Sequence, residues 1–159
     1  FGRLRIIASC DVERYLARLG WGPEPFAVTP EEFHQRLGRG RRSIKAALLD
    51  QRVVAGMGNI YADEALFLAG VRPGRRAARV TRREAAAIAD ALRRVLLRSI
   101  ETGGSSISDY VAPDGRDGGY QDERRVYARA GAPCYSCETP IRKAVVAQRG
   151  THYCPSCQR

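Results

Sequence analysis

Four of the five cysteines stand in two C-x-x-C pairs, Cys134-Tyr135-Ser136-Cys137 and Cys154-Pro155-Ser156-Cys157, with 16 residues between them. Each pair sets two thiols on one tight turn, and two such turns complete the tetrahedral sulfur set that Zn²⁺ prefers. Four sulfur ligands leave no position for water, so the pattern implies one structural zinc ion rather than a catalytic one. A redox dithiol needs a single pair, and an iron–sulfur cluster is less usual at this spacing. His152 is not needed as a ligand and is expected to pack on the intervening segment. Cys10, alone in an apolar run, reads as a buried small hydrophobe. The second informative stretch is Gly56-Met57-Gly58-Asn59. Its glycines allow a sharp turn and a close backbone approach to a ligand. A helix start after it would offer free N–H groups and a positive dipole end, which suits a phosphate. A plain helix–turn–helix joint with Asn59 as N-cap fits the spacing equally well. The nearby Arg39, Arg41, Arg42 and Lys45 tilt the reading toward phosphate.

The elements that must position these residues are mainly helical. Arg3–Ala8 reads as a strand and Asp11–Leu19 as a short helix, with a turn-rich joint over 20–25. Thr29-Pro30-Glu31-Glu32 starts a helix running to about Leu37, with Thr29 as N-cap and Pro30 at the first helical position. A helix follows from Ser43 to Val54, Gly56 and Gly58 break it, and another runs from Asn59 to Gly70. Thr81-Arg82-Arg83-Glu84 is a capping box for the longest helix, to about Glu101. Ile88, Leu92, Val95, Leu96 and Ile100 share one of its faces, and Gly103-Gly104 ends it. Residues 102–124 carry Gly, Ser and Asp without helical period, the mark of a functional or mobile loop. Between the cysteine pairs, Ile141 to Val146 and Thr151 to Tyr153 suit a β-hairpin turning near Gln148-Arg149-Gly150. So small a piece has almost no core, and the metal is expected to hold it folded.

The 159 residues contain 27 Lys plus Arg against 17 Asp plus Glu, a net charge of +10. Such an excess favours a polyanionic partner, most simply nucleic acid. No apolar run approaches the roughly 18 residues of a membrane span, and no signal peptide is visible. The opening Phe1 reads as the start of a fragment rather than of a translated chain.

Three stretches in order, Ile44–Pro73 (IKAALLDQRVVAGMGNIYADEALFLAGVRP), Leu96–Tyr110 (LLRSIETGGSSISDY) and the C-terminal APCYSC…AQRGTHYCPSCQR, resemble bacterial formamidopyrimidine-DNA glycosylase. The resemblance implies a mainly α chain: a helix–two-turn–helix domain over 26–124, then a small β-hairpin zinc finger with four cysteine ligands over 125–159. Residues 1–25 would be a remnant strand of an N-terminal β-sandwich and its linker. It implies a damaged double-stranded DNA partner, action as a monomer and a cytoplasmic bacterial setting, at the nucleoid when bound to DNA. That family flips out an oxidised purine, cuts its glycosidic bond and nicks the strand by β,δ-elimination through a Schiff base. By match, Asn59 would hold phosphates, and Arg149 would contact phosphates and assist δ-elimination. Arg41 would be a basic DNA contact, and Lys45 would sit near the lesion. Ser108, Asp109, Tyr110 and Gly115 would belong to the lesion-capping loop, and Tyr127 would lie near the site.

One departure stands out. The family nucleophile is an N-terminal proline followed by a catalytic glutamate, with a further lysine in the same N-terminal domain; the chain starts Phe1-Gly2 and holds none of these. The expectation is a DNA-gripping part of a repair glycosylase and abasic-site lyase, inactive by itself, with its catalytic domain in cis. Three rivals remain at this point: a relative specific for oxidised pyrimidines, a non-catalytic zinc and DNA-binding module, and a zinc ribbon that binds RNA. GGSSISDY favours the purine enzyme, and the capped helical block with its GMGN turn argues against the ribbon.

Overall fold

The computed structural model describes residues 6–38, 40–105 and 118–159. Its helices are α1 (Val12–Leu19), α2 (Pro30–Leu37), α3 (Ile44–Leu49), α4 (Asn59–Leu68) and α5 (Arg82–Glu101); its strands are β1 (Arg142–Val146) and β2 (Arg149–Tyr153). Short 3-10 turns lie at Ser9–Asp11, Ala77–Arg79 and Tyr120–Glu123. The mainly helical class with a single antiparallel hairpin is as expected.

Hydroxyl caps set most helix starts. The Thr29 side chain accepts from Glu32 N–H, Ser43 from Ala46 N–H, and Thr81 from Glu84 N–H. At Thr81 the box is reciprocal, because the Glu84 carboxylate also accepts the Thr81 N–H at 2.8 Å. At α5's end Gly103 and Gly104 take φ of +76° and +89°, a region that disfavours side chains.

Two expectations change. Helix α3 ends at Leu49 rather than Val54, because Asp50 redirects the chain: its carboxylate accepts Arg52 N–H at 3.1 Å and pairs with the Arg52 and Arg42 guanidiniums. Asp side chains compete with helical hydrogen bonding in this way. Ile100 sits 68% exposed, whereas Ile88, Leu92 and Val95 are buried, so α5's apolar stripe runs off the core in its last turn. The strand expected over Arg3–Ala8 falls partly outside the described residues, and Ile6–Ala8 form no strand. Cys10 is exposed, not buried; its short turn lies outside the core.

Phe33, Leu37, Ile44, Leu48, Val54, Leu66, Ile88 and Leu92 anchor one apolar core, formed where α2 and α4 pack on α5 and α3 packs on α4. A second, small cluster joins Phe67 of α4 to Val126, Cys134, Ile141 and Cys154. Helix α4 therefore serves both cores and is buried nearly all round. The hairpin pairs Arg142 with Tyr153 through Val146 with Arg149. Its turn is Ala147-Gln148, one residue earlier than expected, and both residues have positive φ, 53° and 59°. A two-residue loop needs this geometry to follow the strand twist. The residues on either side of 106–117 are tied together: Gly119 N–H reaches Thr102 O at 2.8 Å and Tyr120 N–H reaches Gly104 O at 3.0 Å.

Candidate functional site

The cysteine cluster assembles as expected. The four sulfurs lie within 4.8 Å of one another, with Cys134–Cys157 at 3.9 Å, Cys137–Cys154 at 3.5 Å and Cys137–Cys157 at 3.4 Å. Ligands about 2.3 Å from a tetrahedral zinc would stand about 3.8 Å apart, so the set fits one zinc ion. The first sulfur of each pair accepts a backbone N–H, from Ser136 at 3.5 Å and from Cys157 at 3.4 Å. Hydrogen bonds, first from Thr139, pull the Cys137 thiol down to about 6. Burial pushes Cys154 up, and the Cys137 hydrogen bond pushes Cys157 up. Four sulfurs this close do not ionise together without a cation among them.

Two adjacent carboxylates in the apolar helix α4 seat the hairpin on the helical domain. Glu64, 1% exposed, accepts the backbone N–H groups of Arg125, Val126 and Tyr127 at 2.8, 3.0 and 2.8 Å. Asp63, fully buried, accepts His152 N–H at 2.8 Å. The buried Gln158 adds a third tie: it accepts Cys154 N–H at 2.8 Å and donates to Val71 O at 2.9 Å. Sequence reasoning missed all three. The available signal was Asp-Glu inside Asn59-Ile-Tyr-Ala-Asp-Glu-Ala-Leu-Phe-Leu, where a buried helix face tolerates charge only with partners.

Three further expected residues, Lys45, Asn59 and Arg149, lie at the hairpin's turn. Lys45, fully buried, donates from Nζ to Gly150 O at 3.0 Å and to Thr151 Oγ1 at 2.8 Å. It also meets Asp63 Oδ1 at 2.7 Å, an ion pair close in distance but poorly aligned as a hydrogen bond. Burial lowers the Lys45 pKa and raises that of Asp63 to about 6, against their mutual attraction. Lys45 is thus not on the surface but beneath the turn, which it supports. Asn59 donates from Nδ2 to the same Gly150 O at 3.0 Å, while its buried Oδ1 has no partner among the described residues. It does not cap α4. The N-cap is Gly58, with no side-chain bond, so among the described residues no side chain caps α4's first N–H groups, unlike those of α2, α3 and α5. Arg149, directly before Gly150, is exposed.

Arg41 is exposed at the α3 approach, with no partner among the described residues. Arg42, expected to be part of a free basic cluster, is instead structural, bound to Asp50 and to the carbonyls of Arg36 and Leu37. Arg39 and the loop residues Ser108, Asp109, Tyr110 and Gly115 lie outside the described residues. The His152 ring, expected to pack on the hairpin, instead faces away from it toward Tyr127, edge-on with ring centroids 5.0 Å apart, and toward Asp63 of α4.

Fold and site define a class: a helical domain that carries a four-cysteine zinc finger against one buried helix. Residues 19–111 match the formamidopyrimidine-DNA glycosylase H2TH domain, and residues 131–159 match the zinc finger found in FPG and IleRS. The chain belongs to the formamidopyrimidine-DNA glycosylase H2TH family. It is 49% identical to formamidopyrimidine-DNA glycosylase of Solibacter usitatus, over 94% of this chain and 56% of that protein. With the Thermus thermophilus protein of that name it shares 48% identity, over 99% and 61%. The crystal structure of Thermus thermophilus MutM (Fpg) superposes with a TM-score of 0.84 at 47% identity, covering 93% of this chain and 57% of that one. Lactococcus lactis Fpg in complex with abasic-site DNA gives 0.89 at 37% identity, covering 96% and 57%. The chain therefore spans a little over half the length of these relatives. Among the described residues, no helix is long and apolar enough to cross a membrane.

Proposed function

We propose that this chain is the DNA-gripping part of a base-excision-repair glycosylase and abasic-site lyase that acts on oxidised purines in duplex DNA. The observation that carries the reading is the convergence of three separate motifs on one carbonyl: Lys45 of α3 and Asn59 at the start of α4 both donate to Gly150 O, beside the exposed Arg149. The N-terminus of α4, which no side chain caps among the described residues, and the second amide N–H of Asn59 add donors at the same place, a combination suited to a backbone phosphate. Arg149 can clamp that phosphate and neutralise charge as it leaves in δ-elimination; an arginine stays protonated, so its part is electrostatic. Arg41 extends the phosphate track. Ser108, Asp109, Tyr110 and Gly115 are assigned to the loop that covers the extruded base. The zinc, held by Cys134, Cys137, Cys154 and Cys157, keeps the hairpin folded and takes no part in bond cleavage.

In this reading the chain acts as a monomer, divided at about residues 25 and 124, and base excision belongs to the part of the family's length that it does not span. Borohydride trapping on duplexes carrying 8-oxoguanine or an abasic site, with total binding recorded in parallel, tests the division. Binding without a covalent adduct is the expected result. A trapped adduct would place an amine nucleophile within these 159 residues and overturn it.

A further inference from the structure

The pair Lys45–Asp63 has no evident purpose as a source of stability. Replacing a buried ion pair by apolar side chains is often neutral, because desolvation offsets the attraction. Its contacts, however, all point at one short length of backbone. Asp63 holds His152 N–H with Oδ2 and the Lys45 ammonium with Oδ1. Lys45 in turn holds Gly150 O and Thr151 Oγ1. Both residues are fully buried, so neither competes for phosphate itself. The turn they support needs support: Ala147 and Gln148 both lie at positive φ, where residues with a Cβ are disfavoured and the surroundings must over-determine the conformation.

We propose that the buried Lys45–Asp63 pair is a positioning device for Arg149: by fixing the Gly150 carbonyl it sets the strained turn and aims the Arg149 guanidinium at a bound phosphate. Asp63 is the outer member, which keeps the ammonium under the turn and the strand register at His152. The inference deepens the DNA-grip reading and rests on it for the nature of the bound anion.

Two neutral replacements of the pair separate positioning from folding. Lys45→Met with Asp63→Asn removes the Lys45 donor to Gly150 O and leaves the Asn59 amide there, whereas Lys45→Gln with Asp63→Asn keeps a donor at both positions. Neither leaves an unpaired buried charge. In the zinc-loaded chain, backbone amide relaxation reads the turn without DNA. The Met/Asn variant is expected to drop the order parameters of residues 147–150 from about 0.85 to below about 0.6, with the cysteine turns unchanged and the Gln/Asn variant near the original. Against a duplex carrying a tetrahydrofuran abasic analogue, Met/Asn is expected to lose affinity roughly tenfold or more, the scale of one charge-assisted hydrogen bond. The slope of log K against log salt should shrink by about 0.9, one phosphate contact. Adding Arg149→Ala to Met/Asn should then cost nothing further. An ordered turn in Met/Asn, identical behaviour of the two variants, or a full additional loss from Arg149→Ala would each overturn the proposal. If the unaltered chain bound no duplex at any salt, the DNA-grip reading alone would fall, and the relaxation measurement would still decide whether the pair sets the turn.

Discussion

The helical block and the hairpin are folded by different means, although one helix belongs to both. Helices α2 to α5 bury a continuous apolar core, and three of their starts are closed by hydroxyl caps a few residues away. The hairpin segment buries only a handful of apolar side chains against Phe67. It is instead held by four sulfurs and by polar ties to α4 and the loop after it: Glu64 to 125–127, Asp63 to His152, Gln158 to Val71. The turn that presents Arg149 is thus carried by the part of the molecule with the least hydrophobic support. Its position is specified by directional bonds, which fix geometry to a fraction of an ångström, where non-directional burial would not.

The largest expected effect that sharpens this contrast comes from the metal. Chelation should unfold residues 125–159 and leave α2 to α5 helical, since structural zinc in such small units is worth about 10–16 kcal/mol. Far-ultraviolet circular dichroism and amide NMR of the zinc-stripped chain check it; loss of the helices together with the hairpin would mean that the two regions form one cooperative unit. Next in size is a matched pair of truncations. Leu92→Ala should cost about 3–5 kcal/mol through a core cavity and lower the helical transition without weakening zinc retention. Glu64→Ala strands the buried Val126 N–H, at roughly 1–3 kcal/mol, and the half-buried N–H groups of Arg125 and Tyr127 at less, and should do the reverse, releasing the hairpin from α4. Zinc-release kinetics and thermal melts of both variants distinguish the outcomes, and equal effects on both readouts would break the comparison. The smallest effect is a gain. Gln148→Gly relieves one left-handed residue of the turn and should stabilise the hairpin by about 1 kcal/mol, read as slower zinc release with an unchanged helical melt.

What could be read without coordinates was whatever acts over a few residues. Thr29 and Thr81 announced helix starts because a cap is a bond between positions three apart. The glycines at 103 and 104 announced a stop because positive φ is intrinsic to a single residue. The two cysteine turns announced their metal because ligand geometry is built into the C-x-x-C spacing. The errors were local rules overridden by a neighbour: α3 stops early because Asp50 draws in Arg42 and Arg52, and the hairpin turns one residue early because strand twist selects Ala147-Gln148 rather than a glycine.

The candidate site divided along the same line. Cys134, Cys137, Cys154 and Cys157 are positioned for zinc as their spacing requires, and Arg149 stands exposed at the hairpin's tip. Asn59 and Lys45 were legible as residues of interest, but not in what they touch. Lys45 reaches Gly150 across 105 residues of sequence, and Asn59 reaches it across 91. No pattern in the chain marks a carbonyl as their common target, because every residue carries one. Asp63 and Glu64 carried no such mark either, because their partners lie at 125–127 and 152, on the far side of α4 from the helical core. By itself, the sequence determined the metal, most of the helix starts and the basic character. Only the tertiary structure decided which charges are surface contacts and which are internal supports, because burial is a property of packing among distant segments.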